Sequence, residues 1–353
     1  MISKKTVFQS FFFLFSVISL FIFRETSFLY GQNNSPEHSV LSWQKKSVTQ
    51  WEEILKASLS ETQARPDLQL QWYAAYALGQ YGQDAKSAVN TLISRAQVDM
   101  GQDDYVRAAT LRSLGQIQDV TAIPVLVAEL ESPYRAILRN AAWALGNFNA
   151  QAMADDRVIP ALEKLLTHED PPTRAQAAAA LWKIAKNDHA LETLLKMIQS
   201  RKSYEIYESV HVIQEIAPLL NEKRATFAKM LTARLSSKDS DTSRACVEAL
   251  CALGTDALTS VKTALETQKD PMIRMRMISI LATVTADSEW EFFLNILNHP
   301  EETNMVKIAA LRALKNPPDE SRQSVREILV RIINDENSPQ NLVREATETL
   351  KTL

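Results

Sequence analysis

A phrase of small and apolar residues, then Leu, then often Gly, recurs along this chain and restricts its fold more than any other feature. It reads AAYALGQYG at 74–82, TLRSLGQI at 110–117, AAWALGNF at 141–148 and ALCALG at 249–254. Weaker copies are ALWKIA at 180–185, VIQEIA at 212–217, ILATV at 280–284, ALRALKN at 310–316 and ATETL at 346–350. The anchors are Leu78, Leu114, Leu145, Ile184, Ile216, Leu253, Val284, Leu314 and Leu350, spaced by 36, 31, 39, 32, 37, 31, 30 and 36 residues. A period of this size marks an array whose units bury their apolar faces against neighbours rather than in one central core.

Each copy reads as a helix. Apolar or small residues recur at −1, −3, −4 and −7 or −8 from the anchor, one face of a 3.6-residue period. Gly79, Gly115, Gly146 and Gly254 fall just after their anchors. Their placement predicts left-handed turns that end the helices there. A second amphipathic segment fills each interval, as in AIPVLVAELE at 122–131, VIPALEKLLT at 158–167 and REILVRIIN at 326–334. Polar links such as HEDPPTR and QKDPMIR join the two segments, so the unit is helix–turn–helix. The expected fold is an all-α solenoid of about nine such units over residues 48–353, preceded by a polar linker at 32–47.

The N-terminus differs. Lys4 and Lys5 precede an uncharged run, Phe11 to Phe23, which has the layout of a secretory signal. Counted from Val7, the apolar stretch also reaches the lower limit for a membrane anchor. Residues 1–31 are therefore read as a signal peptide or an anchor, with membrane contact only through residues 7–23 if uncleaved. Either way the body is expected outside the cytoplasm: periplasmic, envelope-associated or secreted.

The formal net charge is −3, and residues 1–31 contribute +2, leaving −5 on the remainder. An acidic body without a basic run argues against nucleic acid as the main ligand. The two cysteines, Cys246 and Cys251, sit in one helix and cannot bridge without breaking it.

The run DDYVRAATLRSLGQIQDVTAIPVLVAEL at 103–130 resembles the short HEAT-like repeats first described in phycobilin lyases. The resemblance covers roughly residues 48–353 and implies a right-handed solenoid. In such repeats an Asp in the turn and an Arg opening the second helix tie units together. Asp170 with Arg174 and Asp270 with Arg274 match this pattern, and Asp104 with Arg107 and Asp241 with Arg244 match it more loosely. Deoxyhypusine hydroxylase resembles the same fold and binds iron through several His-Glu pairs. This chain has one such pair, His168–Glu169, so no metal or other cofactor is expected.

The resemblance also places the second helices on the concave face. Position −2 from each anchor points ~160° away from the core direction. Its occupants include Tyr76, Arg112, Trp143 and Trp182, with Tyr73 and Tyr105 on the same outward side. Tyr, Trp and Arg are enriched among residues that dominate binding energy. These six form the candidate site, expected to hold a protein partner. The functional expectation is a non-catalytic protein–protein scaffold of the cell envelope, not an enzyme. The alternative is an enzyme of the lyase-like class.

Overall fold

The computed structural model describes residues 46–60, 67–97, 104–285, 289–314 and 317–353. The chain divides into Met1–Lys46 and Ser47–Leu353, and only the second unit is described below. The expected signal or anchor at 1–31 lies outside the described residues.

Among the described residues there are eighteen α-helices and no strand. The first helices of the nine pairs are α1 (Val48–Leu59), α3 (Val89–Gln97), α5 (Ile123–Ala128), α7 (Val158–Leu165), α9 (Asp188–Ile198), α11 (Arg224–Arg234), α13 (Leu258–Thr267), α15 (Trp290–Asn298) and α17 (Arg322–Asn334). The second helices are α2 (Leu68–Gln80), α4 (Asp104–Ile117), α6 (Arg135–Asn147), α8 (Pro171–Ala185), α10 (Ser203–Ile216), α12 (Ser240–Leu253), α14 (Pro271–Thr285), α16 (Asn304–Ala313) and α18 (Gln340–Leu350). Each second helix packs on the second helix of the next unit through the whole array, whereas the first helices meet more sparsely. The second helices therefore form the inner, tighter layer.

Local chemistry sets the boundaries. Asp67, Asp170 and Asp239 cap α2, α8 and α12 by accepting hydrogen bonds from Leu70 N, Thr173 N and Thr242 N. Such caps satisfy amides that have no partner inside the helix. The anchors Leu78, Leu114, Leu145, Ile184, Ile216, Leu253 and Leu314 are all buried between the layers.

Three of the four anchor-following glycines do not end helices. Gly79, Gly115 and Gly146 lie inside α2, α4 and α6, and a Cβ on Gly115 would stand 2.5 Å from Ala144 Cα. Their lack of a side chain lets neighbouring second helices approach closely. The left-handed residues come later, at Gly82, Gln118, Asn149, Lys186 and Asn221. Only Gly254, with φ of +67°, combines both expectations.

The Asp–Arg pattern also divides its labour. Asp170 caps α8, while Arg174 donates to His168 O and Glu169 O and pairs with Glu205 of the next unit at 3.3 Å. Asp270 receives Met272 N and Ile273 N, while Arg274 pairs with Glu302 of the next unit. Arg107 reaches Ala96 O and pairs with Glu129 at 3.0 Å, both side chains nearly buried. Arg244, by contrast, pairs with Asp241 on an exposed surface. The Arg series thus joins units through glutamates that the sequence pattern did not single out.

Candidate functional site

The inner helices carry the candidate residues. In α2, Trp72 and Tyr76 are four residues apart and therefore share a helix face. Their rings stack with centroids 5.3 Å apart and planes 6° from parallel. Tyr73 meets Trp72 edge-on at 5.2 Å. Trp72 was missed from the sequence, although its spacing from Tyr76 was the available signal. Tyr105 opens α4 and is 38% exposed.

The Arg112 guanidinium lies over the Trp143 ring, its central carbon 4.0 Å from the ring centroid. The two residues come from α4 and α6 and share the −2 register. Burial lowers the Arg112 pKa from its ordinary value, and the charge of Glu215 offsets part of that cost. A guanidinium starts so far above neutrality that it stays charged.

Trp182 does not join this face. Its ring is 5% exposed, and its Nε1 donates to Leu219 O at 3.1 Å, in the short turn after α10. The expectation that it points outward is corrected here. The run Ala177–Ala180 leaves room for close packing around α8, and the ring fills the space between α8 and the next unit. A buried indole also needs a partner for its N–H, and Leu219 O supplies it.

Farther along, polar groups link adjacent inner helices. Lys183 contacts Asn147 Oδ1 at 3.3 Å and pairs with Glu215. Gln214 donates to Ala245 O and Glu248. The inner face is therefore tied by its own side chains from α6 to α12.

The C-terminal inner face is different. A groove of about 470 Å³ opens between α14, α16 and α18. Met275, Ala282, Met305, Ile308 and Ala313 make most of its wall, with Arg312 at the edge. Ala282 occupies the −2 register of α14. The same small side chain is what leaves the groove open. A second cleft, of about 500 Å³, lies near α7 and α9 and mixes Glu163, His189, Glu192 and Lys196 with the Arg174–Glu205 pair.

Few groups are poised for covalent chemistry. Burial pushes the Cys246 thiol up to about 12. Burial also raises Cys251, and Glu248 adds to the effect while Thr283 opposes it. Both thiols are protonated at neutral pH and so are poor nucleophiles. Among the described residues no cluster of His, Cys, Asp and Glu is arranged to hold a metal ion. His168 instead accepts a hydrogen bond from Asp170 N at 3.1 Å. No described helix is long and apolar enough to cross a membrane.

The chain is similar to several known proteins. A family model of HEAT repeats matches residues 55–146 and 123–214. The phycocyanobilin lyase subunit alpha of a Picosynechococcus species is 26% identical over 185 residues, which are 51% of this chain and 62% of the relative. The chain thus spans less than two thirds of that relative's length. Among solved structures, human deoxyhypusine hydroxylase in complex with glycerol aligns at 16% identity and a TM-score of 0.33, covering 89% of this chain and 99% of that one. The complex of CpcE and CpcF of phycocyanin lyase from a Nostoc species aligns at 17% identity and a TM-score of 0.32, covering 92% and 98%. The similarity to a lyase subunit overturns two expectations, that of a non-catalytic envelope scaffold and that of a protein without enzymatic activity.

Proposed function

We propose, from the premise that this chain belongs to the HEAT-repeat family, that it works as a subunit of a lyase that handles a bilin. The single observation that carries this reading is the 26% identity over 185 residues to a phycocyanobilin lyase subunit. A protein of this kind must hold a conjugated tetrapyrrole and also meet at least one other protein. The inner face offers different surfaces for the two tasks.

The N-terminal inner face suits the protein partner. Tyr73, Tyr76 and Trp143 are partly exposed, Tyr105 more so, and Arg112 stays charged among them. Large rings with few rotatable bonds lose little entropy when a partner orders them. Arg112 can pair with a partner's carboxylate while its flat face rests on Trp143. Trp143→Ala should weaken capture of the partner subunit by about 2 kcal/mol or more, as expected for a residue that dominates an interface.

The direct test of the reading is optical. Phycocyanobilin added to the purified full chain should show a shifted visible band and induced circular dichroism. An unchanged bilin spectrum with protein in excess overturns the lyase reading.

We further propose that residues 1–31 export the body. The basic start at Lys4 and Lys5 and the uncharged run Phe11 to Phe23 support this. Replacing Leu14 and Ile18 with Asp should trap the protein in the cytoplasm, because charge opposes insertion of an apolar segment. Unchanged localisation of that variant would end the export proposal.

A further inference from the structure

The groove between α14, α16 and α18 has a cause that can be read along one register. At position −2 the N-terminal units carry large side chains: Arg112 and Trp143 meet across successive inner helices, and Trp182 packs against the next unit at Leu219. The seventh unit carries Ala282 instead, and the wall opposite adds Ala309 and Ala313. The space stays open, and Met275, Met305 and Ile308 line it.

Its chemistry is amphiphilic. Methionine thioethers are polarisable, adapt their shape, and make favourable contacts with the edges of flat conjugated rings. Arg312 stands at the rim with its side chain 64% exposed, and Glu345 takes one Nη of its guanidinium at 3.1 Å. A guanidinium has five donors in a fixed fork, so its other edge can receive a further carboxylate. An apolar slot with one cation at its edge selects a flat, apolar molecule bearing an acidic group.

Volume decides between a small molecule and a peptide. The groove holds about 470 Å³, inside the ~300–1,000 Å³ range of small-molecule pockets. A helix with its side chains is about 10–12 Å across and rises about 5.4 Å per turn, so that volume takes roughly one turn. One turn cannot bury anchors at i, i+4 and i+7, as a docked amphipathic helix requires.

We infer that this groove seats rings of an open-chain tetrapyrrole, and that Arg312 receives one of its propionate carboxylates. This rests on the lyase reading above and goes beyond it by assigning the pigment to α14, α16 and α18 rather than to the aromatic N-terminal face. Charge complementarity at the rim and the apolar wall act on different parts of the same ligand, so they can be tested separately.

The experiment titrates phycocyanobilin, and separately its dimethyl ester, into the full chain and into two variants, followed by visible absorbance and induced circular dichroism. Ala282→Trp should fill the groove and remove the spectral response to both ligands. Arg312→Ala should weaken the free acid about tenfold, the scale of one hydrogen bond to a charged group, and leave the ester unaffected. Far-ultraviolet circular dichroism checks that Ala282→Trp keeps its helices. If it does not, the acid-against-ester comparison on Arg312→Ala still decides, because that side chain lies mostly in solvent. Binding of both ligands within about twofold of the unaltered chain in both variants overturns the assignment. Retained pigment binding by Ala282→Trp, with lost capture of the partner subunit, assigns the groove to protein and also overturns it. A silent spectrum from the unaltered chain overturns the lyase reading itself.

Discussion

The guanidinium carbon of Arg112 stands 4.0 Å from the centre of the Trp143 ring, and the pair joins two successive inner helices. The arrangement holds a charged group flat against an aromatic face. Arg112→Ala should lower stability by about 0.5–1 kcal/mol, the usual worth of such a contact at a partly exposed site. Arg112→Lys should not restore the flat stacking. Urea unfolding of the three proteins checks the order, and equal stability of all three would show that the contact adds nothing.

Trp143 and Trp182 occupy the same register but should respond oppositely. Trp182 is buried and its N–H is bonded to Leu219 O. Trp182→Ala should cost about 3–5 kcal/mol of stability, as large buried aromatic truncations do. Trp182→Phe keeps much of the volume and should lose about 1 kcal/mol with the hydrogen bond. Trp143→Ala should be much milder for folding and more harmful for partner capture. Paired urea melts and partner binding assays separate the two, and similar unfolding costs would remove the distinction.

Gly115→Ala should destabilise, although Ala ordinarily gains about 1 kcal/mol over Gly within a helix. The added methyl would meet Ala144 Cα at 2.5 Å, so α4 and α6 must move apart. A net loss of about 1–3 kcal/mol is expected, the range for overpacking. Gly254→Ala has open space around it but sits at φ of +67° and ψ of −143°. Its expected cost, about 1–3 kcal/mol, comes from backbone strain alone. A gain of stability at Gly115 in a thermal melt would contradict the close approach.

Arg107 and Glu129 form a nearly buried pair between successive units. Arg107→Ala strands the carboxylate and should cost about 3–5 kcal/mol. Replacing both together, Arg107→Met with Glu129→Leu, should recover most of that loss because no buried charge remains. A double-mutant cycle measures the coupling, and additive losses would show that the two charges do not depend on each other.

Acid should loosen the helix starts that Asp239 and Asp119 hold at neutral pH. The Thr242 hydroxyl and amide hold the Asp239 carboxyl below the usual carboxylate range, and Thr121 does the same for Asp119. A carboxyl whose folded pKa is depressed adds stability that is present above its unfolded pKa, near 3.9, and lost as pH falls through the folded value. Asp239→Asn keeps a capping side chain, so its melting temperature should fall less between neutral and acid pH than that of the unaltered chain. Parallel pH dependence for the two would exclude Asp239 from the acid transition.

The sequence by itself determined the repeat, the nine helix pairs and, through capping aspartates, a few of the helix starts. Those features depend on residues close together in the chain: an anchor leucine with its 3.6-period face, or an aspartate three residues before the amide it caps. Tertiary structure decided what each side chain at a shared register does. Gly115 reads as a helix end until Ala144 of the next unit stands against it. Trp143 and Trp182 look equivalent at −2, yet one supports Arg112 on the inner face and the other is sealed against Leu219. Ala282 holds the same −2 register, and two facing helices turn its smallness into the wall of a groove. The physical reason is that helical periodicity fixes the direction of a side chain from its own axis. Exposure depends on the distance to the neighbouring helix, which residues about one repeat away set through their volume.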